Sequence, residues 1–360
     1  MKVLAFTAYP NEAASTRHRV IQFIEPLADQ GIELSVYPFV DSQLNTLLYE
    51  RSQWIRTLFG LSRALLRRMV DIGRARDADI LFVQREAMIF GPPLVEWLAM
   101  RVGGCPLVLD LDDALYVRYR SPTYGRLGSA LKWFGKTDDL ISWSSVVVCG
   151  SRAVAEHVRS KNRSAVVIPT VVDTERFRPR AVQPHEPLLV LGWIGTHSTY
   201  QYLVSIFPVL QRLARDRRFR LKIIGSGRKQ IDIAGVEVEA VSWSLAREIS
   251  DLQSFDIGLY PLLPDEWAAG KSGFKAVQYM AMGVPFVTMP VGACAEIGEE
   301  NITHFLARTE DDWCVALAQL LADAKLRLRM GAAGRAYAVK HYSLADQAQK
   351  LADAFRAAKA

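Results

Sequence analysis

Residues 255–290 read FDIGLYPLLPDEWAAGKSGFKAVQYMAMGVPFVTMP. Two short apolar runs, FDIGLYPL and VPFVTMP, flank a glycine-containing turn and a segment with helical spacing. Both runs are apolar along their whole length, which is typical of parallel strands buried on both faces. This stretch therefore predicts a strand, a helix and a second strand that runs parallel to the first.

The same alternation extends in both directions. Before residue 171 the strand-like runs are KVLAFTAY, IELSVYPF, ADILFVQ, PLVLDLDD, SVVVCG and AVVIPT, and after residue 187 they include PLLVLGWIG, RLKIIGSG and VEVEAVSW. Between the two sets, residues 171–187 hold three prolines and several charges. We expect an α/β chain of two doubly wound, Rossmann-like domains that face a central cleft. The predicted boundaries are 1–172, a linker at 173–187, 188–342, and a last helix at 343–360 that packs back on the first domain.

Local signals also mark helix starts and exclude several protein classes. Thr309 followed by Asp312 predicts a capping box at the start of a helix over 310–323. Of the 360 residues, 50% are apolar and 23% charged, which excludes disorder and collagen-like structure. The four cysteines lie far apart without metal-ligand spacing, so we predict neither disulfides nor a zinc site. We see neither a signal peptide nor a membrane span, and therefore expect a cytoplasmic protein.

The net charge of +6 favours anionic ligands, and the excess is concentrated in one segment. Residues 51–76 contain seven arginines against the single acidic Asp71. The surrounding segment, 41–79, has helical periodicity with leucines, Trp54 and Phe59 among the arginines. One interpretation is a peripheral helix on an anionic membrane surface. We favour the other, an amphipathic helix packed on the sheet with a basic outer face. No RRM, KH or helix-turn-helix signature supports binding to nucleic acid.

The turn and helix start at residues 270–278 predict an anion site. Backbone N–H groups of Ser272, Gly273 and Phe274 would lie at the helix N-terminus. Lys271 on the entry turn and Lys275 in the first helical turn are four residues apart, so both can reach the same anion. Gln278 follows one turn deeper, within reach of a ribose. The alternative interpretation is that both lysines are ordinary solvated side chains of a surface helix.

At this point the sequence resembles the GT-B-fold, family 4 glycosyltransferases, in which a K-x-x-EYMA-x-G-x-P segment holds the donor. The matching residues are Lys275, Gln278, Tyr279, Met280, Ala281, Gly283 and Pro285. Three further segments match in the family's order. They are IPTVVDTERFRP (168–179), VGACAEIGEENITHFLA (291–307, with Gly292 and Glu296) and LRLRMGAAGRAYAVKHYS (326–343, with Arg329, Met330, Gly331 and Arg335).

The sequence also departs from this family. The two glutamates of the family motif fall on Gly270 and Gln278, and Asp265 or Glu266 is the candidate substitute for the first. After the first strand of the second domain, Gly195 matches the family's turn. Thr196 and Gln201 stand there where cations are usual, so Lys271 and Lys275 would neutralise a diphosphate largely alone.

The first domain is expected to supply the acceptor side. Arg17 and Arg19 enter a helix after the first strand, where a bound anion would offset an otherwise unfavourable basic first turn. At the carboxyl ends of two further strands stand Arg85, Glu86, Asp110, Asp112 and Asp113. We expect Asp112 and Asp113 to bind acceptor hydroxyls, with helix capping as the alternative. We discount a metal at this Asp-x-Asp pair, because it lies away from the predicted diphosphate site and the resemblance implies metal-independent enzymes.

The resemblance implies a retaining glycosyltransferase that moves a sugar from a UDP, GDP or dTDP conjugate to a hydroxyl of a glycan, lipid-linked or small-molecule acceptor. Catalysis would involve Lys271, Lys275 and Asp112, and the donor would also contact Gly195, Thr196, Gln278 and Glu296, with no further cofactor. A role in cell-envelope polysaccharide biosynthesis at the inner face of the membrane would follow. The alternatives are a nucleotide-sugar epimerase of the same fold and a catalytically silent nucleotide-sugar binding protein.

Overall fold

A computed structural model describes residues 1–48, 50–118, 125–181 and 188–360. Tyr49 of the basic segment and residues 182–187 of the predicted linker lie outside the described residues. Within the described ranges the chain forms two compact units. One unit comprises Met1–Thr170, Gly270–Ser272 and Leu344–Ala360, and the other comprises Val171–Ala269 and Gly273–Ser343.

The first unit is built on a six-stranded parallel sheet. Its strands are β1 (Lys2–Thr7), β2 (Glu33–Pro38), β3 (Ile80–Gln84), β4 (Leu107–Leu111), β5 (Val146–Cys149) and β6 (Ala165–Val167), in the order β2-β1-β3-β4-β5-β6. Its helices include α1 (Ala14–Arg19), α2 (Ile24–Ala28), α3 (Ser42–Leu47), α4 (Trp54–Gly73), α5 (Leu94–Gly103), α6 (Gly125–Lys132), α7 (Lys136–Trp143) and α8 (Arg152–Arg159). Every residue of β3 and β4 is buried, as expected for strands covered on both faces.

The second unit repeats this architecture. Its strands are β7 (Val190–Ile194), β8 (Arg220–Ile224), β9 (Glu237–Val241), β10 (Ile257–Tyr260), β11 (Phe286–Thr288) and β12 (Phe305–Leu306), in the order β12-β11-β10-β7-β8-β9 with all pairs parallel. The helices are α9 (Tyr200–Val204), α10 (Phe207–Ala214), α11 (Glu248–Gln253), α12 (Glu266–Ala269), α13 (Phe274–Ala281), α14 (Glu310–Ala322) and α15 (Ala324–His341). The capping box predicted at Thr309 and Asp312 is confirmed at the start of α14.

The last helix, α16 (Leu344–Lys359), packs within the first unit although it follows the whole second unit in the chain. Phe355 is fully buried, and its ring centroid lies 5.1 Å from that of Phe82 on β3 in an edge-to-face contact. Near the end of the helix, Lys359 Nζ lies 2.8 Å from Asp79 Oδ1. The sheet of the first unit is therefore covered in part by a helix that is remote in sequence.

The structure corrects the favoured interpretation of the basic segment. We expected the apolar side chains of this segment to pack on the sheet, but those of α4 project outward, and Phe59 and Leu66 are 77% and 70% exposed. The buried positions of α4 are instead Thr57, Ala64, Arg68, Asp71 and Ile72. The helical periodicity predicted for this segment was therefore correct, whereas the prediction that its apolar side packs on the sheet was wrong.

Candidate functional site

The second sheet has a topological switch point between β7 and β10. From these two neighbours the chain order runs outward in opposite directions, to β8 and β9 on one side and to β11 and β12 on the other. Ligands of open parallel sheets bind beyond the carboxyl ends of the strands at such a point. Trp193, the penultimate residue of β7, and Tyr260, the last residue of β10, are both buried there, at 1% and 3% exposure.

The Lys275 ammonium group lies at this switch point. Its Nζ is 5.4 Å from the centroid of the Trp193 ring and 5.0 Å from that of the Tyr260 ring. Both distances fall in the range of cation–π attraction, which positions the ammonium group over the two rings. The sequence placed Lys275 correctly on the first turn of a helix, but it gave no sign of these two aromatic neighbours.

Gly273 forms the start of α13 and allows its close packing. The residue has a left-handed backbone with φ of +70°, and a Cβ atom there would lie 2.1 Å from Ile297 Cδ1. Gly273 and Phe274 thus direct the N-terminus of α13, with the positive end of its dipole, to the same sheet edge as Lys275. Glu296, a predicted donor-side residue, directly precedes Ile297 in the chain and follows the helical turn Gly292–Ala295.

The turn after β7 borders the same aromatic ring. A Cβ atom at Gly195 would lie 2.3 Å from the Trp193 indole, so the backbone passes directly over this side chain. In the exposed turn that follows, the Thr196 N–H donates to Thr199 Oγ1 at 3.0 Å, and the Thr196 and Ser198 hydroxyls are 2.8 Å apart. Trp193 therefore contacts both the Gly195 turn and Lys275, which brings these predicted donor-side residues together.

The predicted acceptor-side residues of the first unit form buried ion pairs. Arg19 is only 2% exposed, binds Asp110 through two guanidinium nitrogens, and donates from Nη1 to the Ile168 carbonyl at 2.7 Å. Arg17, two residues earlier on α1, is half-buried. Both arginines lie in the last turn of α1, where the helix dipole favours positive charge, so the expected unfavourable basic first turn was wrong. The role of both arginines toward an acceptor stays a prediction, and the Arg19 guanidinium is engaged with its own domain.

Arg85 holds the two aspartates that were expected to bind acceptor hydroxyls. Its Nε and Nη2 lie 2.6 and 2.7 Å from the two carboxylate oxygens of Asp112, and Nη2 is 3.2 Å from Asp113 Oδ2. Burial opposes ionisation of Asp112, but the charge and hydrogen bonds of Arg85 outweigh it and lower the pKa of Asp112. Asp112 is therefore an ionised hydrogen-bond acceptor and a weak base.

Glu86 lies in a further cluster whose cations the sequence analysis missed. The carboxylate of Glu86 is buried between Lys132 and Lys136, and the Lys136 contact measures 2.5 Å. Burial opposes its charge, but the two ammonium groups lower the pKa of Glu86 below its ordinary value. The lysines come from α6 and α7, so no local pattern around Glu86 could have revealed them. In the described ranges, no three His, Cys, Asp or Glu side chains cluster as metal ligands.

Comparisons with known proteins bear on both units. The family described as "Glycosyl transferases group 1" matches residues 188–323. This region is similar to the group 1 glycosyltransferase domain. HepE (Alr3699) of Anabaena, solved with UDP-glucose, aligns with a TM-score of 0.70 at 15% identity, with 98% of each chain covered. Sucrose-phosphate synthase of Thermosynechococcus elongatus has a TM-score of 0.68 at 13% identity, covering 99% of this chain and 98% of its own.

A third solved structure, the lipopolysaccharide outer core galactosyltransferase WaaB, aligns with a TM-score of 0.58 at 14% identity, covering 98% of this chain and 99% of its own. None of the curated proteins matches the sequence. These likenesses confirm the predicted GT-B fold of two parallel-sheet domains.

Within the second unit, the family-like segments contact one another. Arg335 donates from Nη1 to the carbonyls of Phe177 and Ala281, at 2.7 and 2.8 Å, and from Nη2 to that of Thr174 at 2.8 Å. A Cβ atom at Gly331 would lie 2.1 Å from the Gly283 carbonyl oxygen. The segment after residue 171, α13 and α15 are thus joined at the end of α13, which fixes the direction of that helix.

The structure gives a physical reason for one departure from the family. A Cβ atom at Gly270 would lie 2.1 Å from Ala114 Cβ, so no glutamate fits at this position. Asp265 accepts a hydrogen bond from the Ala268 N–H at 2.6 Å and thereby caps α12, while Glu266 is exposed on its first turn. The substitution of Asp265 or Glu266 for the missing glutamate stays a prediction.

Gln278, Lys271 and Ser272 keep their roles as predictions. Gln278 lies on α13 as expected but is only 2% exposed. Lys271 and Ser272 belong to the segment Gly270–Ser272, which groups with the first unit. The prediction that Lys271 and Lys275 bind the same diphosphate therefore rests on their spacing in the sequence.

Proposed function

We propose that this protein is a retaining glycosyltransferase that transfers a sugar from a nucleoside diphosphate conjugate to an acceptor hydroxyl. The observation that carries the proposal is the Lys275 ammonium group over Trp193 and Tyr260, at the switch point of a domain similar to the group 1 glycosyltransferases. A cation held beside a helix N-terminus at this position is suited to bind a diphosphate.

In the proposed reaction, the bond between the anomeric carbon and the diphosphate oxygen breaks while a bond from that carbon to the acceptor oxygen forms. The acceptor proton passes to the leaving diphosphate, which departs on the same face of the sugar. Lys275, the N-terminus of α13 and Lys271 would stabilise the negative charge that develops on this leaving group. Gln278 would bind the ribose, while Gly195, Thr196 and Glu296 would complete the donor side.

Asp112 supports a mechanism without a dedicated protein base. Its pKa is lowered by Arg85, so its carboxylate is a poor proton acceptor but a good hydrogen-bond acceptor. We infer that Asp112 and Asp113 orient the acceptor hydroxyl. The proposal includes no metal ion. In other transferases a metal ion neutralises the diphosphate, and here Lys271, Lys275 and the N-terminus of α13 would supply that positive charge.

We take UDP as the first nucleotide to test, because HepE was solved with UDP-glucose. We further propose a glycan or lipid-linked acceptor and a cytoplasmic role in cell-envelope polysaccharide synthesis. The likeness to a lipopolysaccharide galactosyltransferase supports this acceptor class.

Isothermal titration of UDP and of uridine into wild type and Lys275→Met tests the donor site. We expect the variant to bind UDP about tenfold to hundredfold more weakly and uridine unchanged, because one charge-assisted contact to phosphate is lost. Lys340→Met, on the exposed end of α15, is the matched control and should bind both ligands normally. Equal losses of UDP and uridine binding in Lys275→Met would place this residue away from the phosphates.

Product analysis then separates the transferase from its alternatives. With a UDP-sugar and an acceptor, the transferase should form a glycoside with the anomeric configuration of the donor, measured by proton NMR coupling constants. An epimerase would convert the donor without any acceptor. A silent binding protein would bind UDP and form no product.

A further inference from the structure

Helix α4 is attached to the first unit through polar side chains. Arg68, only 1% exposed, donates to the carbonyls of Tyr37 at 2.9 Å and Thr7 at 3.1 Å, and its guanidinium lies 4.3 Å from the centroid of the Phe6 ring. Thr57 donates to the Leu47 carbonyl at 3.2 Å. A helix on a globular domain normally buries its apolar stripe, whereas α4 buries Thr57, Arg68 and Asp71 beside two smaller apolar contacts, Ala64 and Ile72.

The opposite side of α4 carries a continuous apolar surface, which we call the outer face. Eight large apolar side chains on it are between 37% and 77% exposed: Trp54, Ile55, Leu58, Phe59, Leu65, Leu66, Met69 and Val70. At about 100° per residue, the positions from Ile55 to Val70 share one side of the helix. Contiguous exposed apolar patches of this kind mark interaction surfaces.

Arginines border the outer face along one edge. Arg56 and Arg63 are exposed, and the side chains of Arg67 and Arg74 are 40% and 52% exposed beside Asp41 and Asp71. The only acidic residue of α4 is Asp71, which is buried on the inner side. The outer face thus combines apolar side chains with an excess of positive charge, of which the exposed Asp41 carboxylate offsets only the Arg67 charge.

We propose that the outer face of α4 docks on a lipid bilayer that carries anionic headgroups. The apolar side chains would enter the headgroup boundary with the helix parallel to the membrane plane, while Arg56 and Arg63 bind lipid phosphates. Contact with a second copy of the chain is disfavoured, because it would bring two arginine edges together while Asp71, the acidic residue of α4, stays buried. In the part of the chain that the structure describes, no helix is both long and apolar enough to cross a membrane. This inference goes beyond the proposed transfer reaction and rests on other residues.

Vesicle flotation of the full chain tests the proposal. We expect wild type to bind vesicles of phosphatidylcholine and phosphatidylglycerol (70:30), and Phe59→Ser/Leu66→Ser to lower the ratio of bound to free protein at least tenfold. Arg56→Gln/Arg63→Gln should lower binding to these vesicles about tenfold and weaken its dependence on salt. Val315→Ser/Leu328→Ser, which changes two apolar side chains that are 56% and 61% exposed in the second unit, should bind like wild type.

A second measurement reports contact of the outer face directly. An environment-sensitive fluorophore is attached to the new cysteine of the Phe59→Cys variant. The four native cysteines are buried, so the label should react at position 59. A blue shift of its emission on addition of the anionic vesicles is expected. No vesicle binding by wild type, or no blue shift, would overturn the proposal. The proposal would also be overturned if sedimentation velocity showed a concentration-dependent dimer of wild type that is absent in Phe59→Ser/Leu66→Ser. UDP titration of the same variants should be unchanged, so failure of membrane docking is distinguishable from failure of the donor site.

Discussion

Arg85 shows how a single residue sets the chemistry of the first unit. Its backbone is left-handed, with φ of 66°, which is uncommon for a residue that has a side chain. This conformation accompanies the two-pronged contact with Asp112 and the further contact with Asp113. Strained backbone of this kind is concentrated at functional sites, where surrounding contacts maintain it. The geometry agrees with the proposed role of both aspartates in orienting the acceptor.

His304 is expected to make the second unit sensitive to acid. The ring is 2% exposed, stacks on Phe286 with centroids 4.9 Å apart, and burial lowers the pKa of His304 from 6.5 to about 4. Because the unfolded chain takes up the proton first, stability is lost as the pH falls from 6.5 toward 4. When the pH is lowered from about 7.5 to about 5, His304 should decrease the free energy of unfolding by about 2 kcal/mol.

Urea unfolding at both pH values, for wild type and His304→Gln, measures this effect. The variant should lose about 2 kcal/mol less than wild type on acidification. His341→Gln, at an exposed position at the end of α15, is the control and should behave like wild type. An unchanged pH dependence in His304→Gln would contradict the assignment.

At the scale of elements, the start of α13 depends on a glycine. Gly273→Ala should lower the free energy of unfolding by at least about 1–2 kcal/mol, because a left-handed residue with a Cβ atom is strained and this atom also meets Ile297. Binding of UDP should weaken as the helix start moves. Gly73→Ala is the matched control, since Gly73 has φ of −59° and no atom within 4 Å of the added Cβ. Thermal unfolding and UDP titration of both variants test this, and equal effects would contradict it.

Helix α4 shows what an element's sequence leaves open. Its periodicity separates an apolar side from a side with Thr57, Ala64, Arg68 and Asp71, and this separation is present in the structure. Periodicity fixes the angle between two faces, but it does not tell which face meets the sheet. The carbonyls of Thr7 and Tyr37, which accept hydrogen bonds from Arg68, determine that choice.

At the scale of the whole molecule, the first unit depends on the last helix of the chain. Phe355→Ala should lower the free energy of unfolding by about 3–5 kcal/mol, because it removes a fully buried ring from the contact with Phe82. Hydrogen exchange should accelerate in β3 and β4 before it changes in β7 and β10. Arg356→Ala, at an exposed position of the same helix, should have little effect. Faster exchange confined to the second unit would contradict this assignment of α16.

Patterns within one element or one turn could be read from the sequence alone. The alternation of strands and helices, the capping box of α14 and the position of Lys275 on the first turn of α13 all depend on residues a few positions apart. Local hydrogen bonding and side-chain periodicity determine such features, so the sequence predicts them. The resemblance of residues 275–285 to group 1 glycosyltransferases belongs with these local patterns.

Tertiary structure decided the contacts between distant segments. It paired Arg85 with Asp112, 27 residues away, placed Lys275 over Trp193 and Tyr260, and set Gly270 against Ala114. It also turned the apolar side of α4 outward and returned α16 to the first unit. The physical reason is that these outcomes depend on packing and charge pairing between elements, and the energies of such contacts exist only once the sheets have assembled.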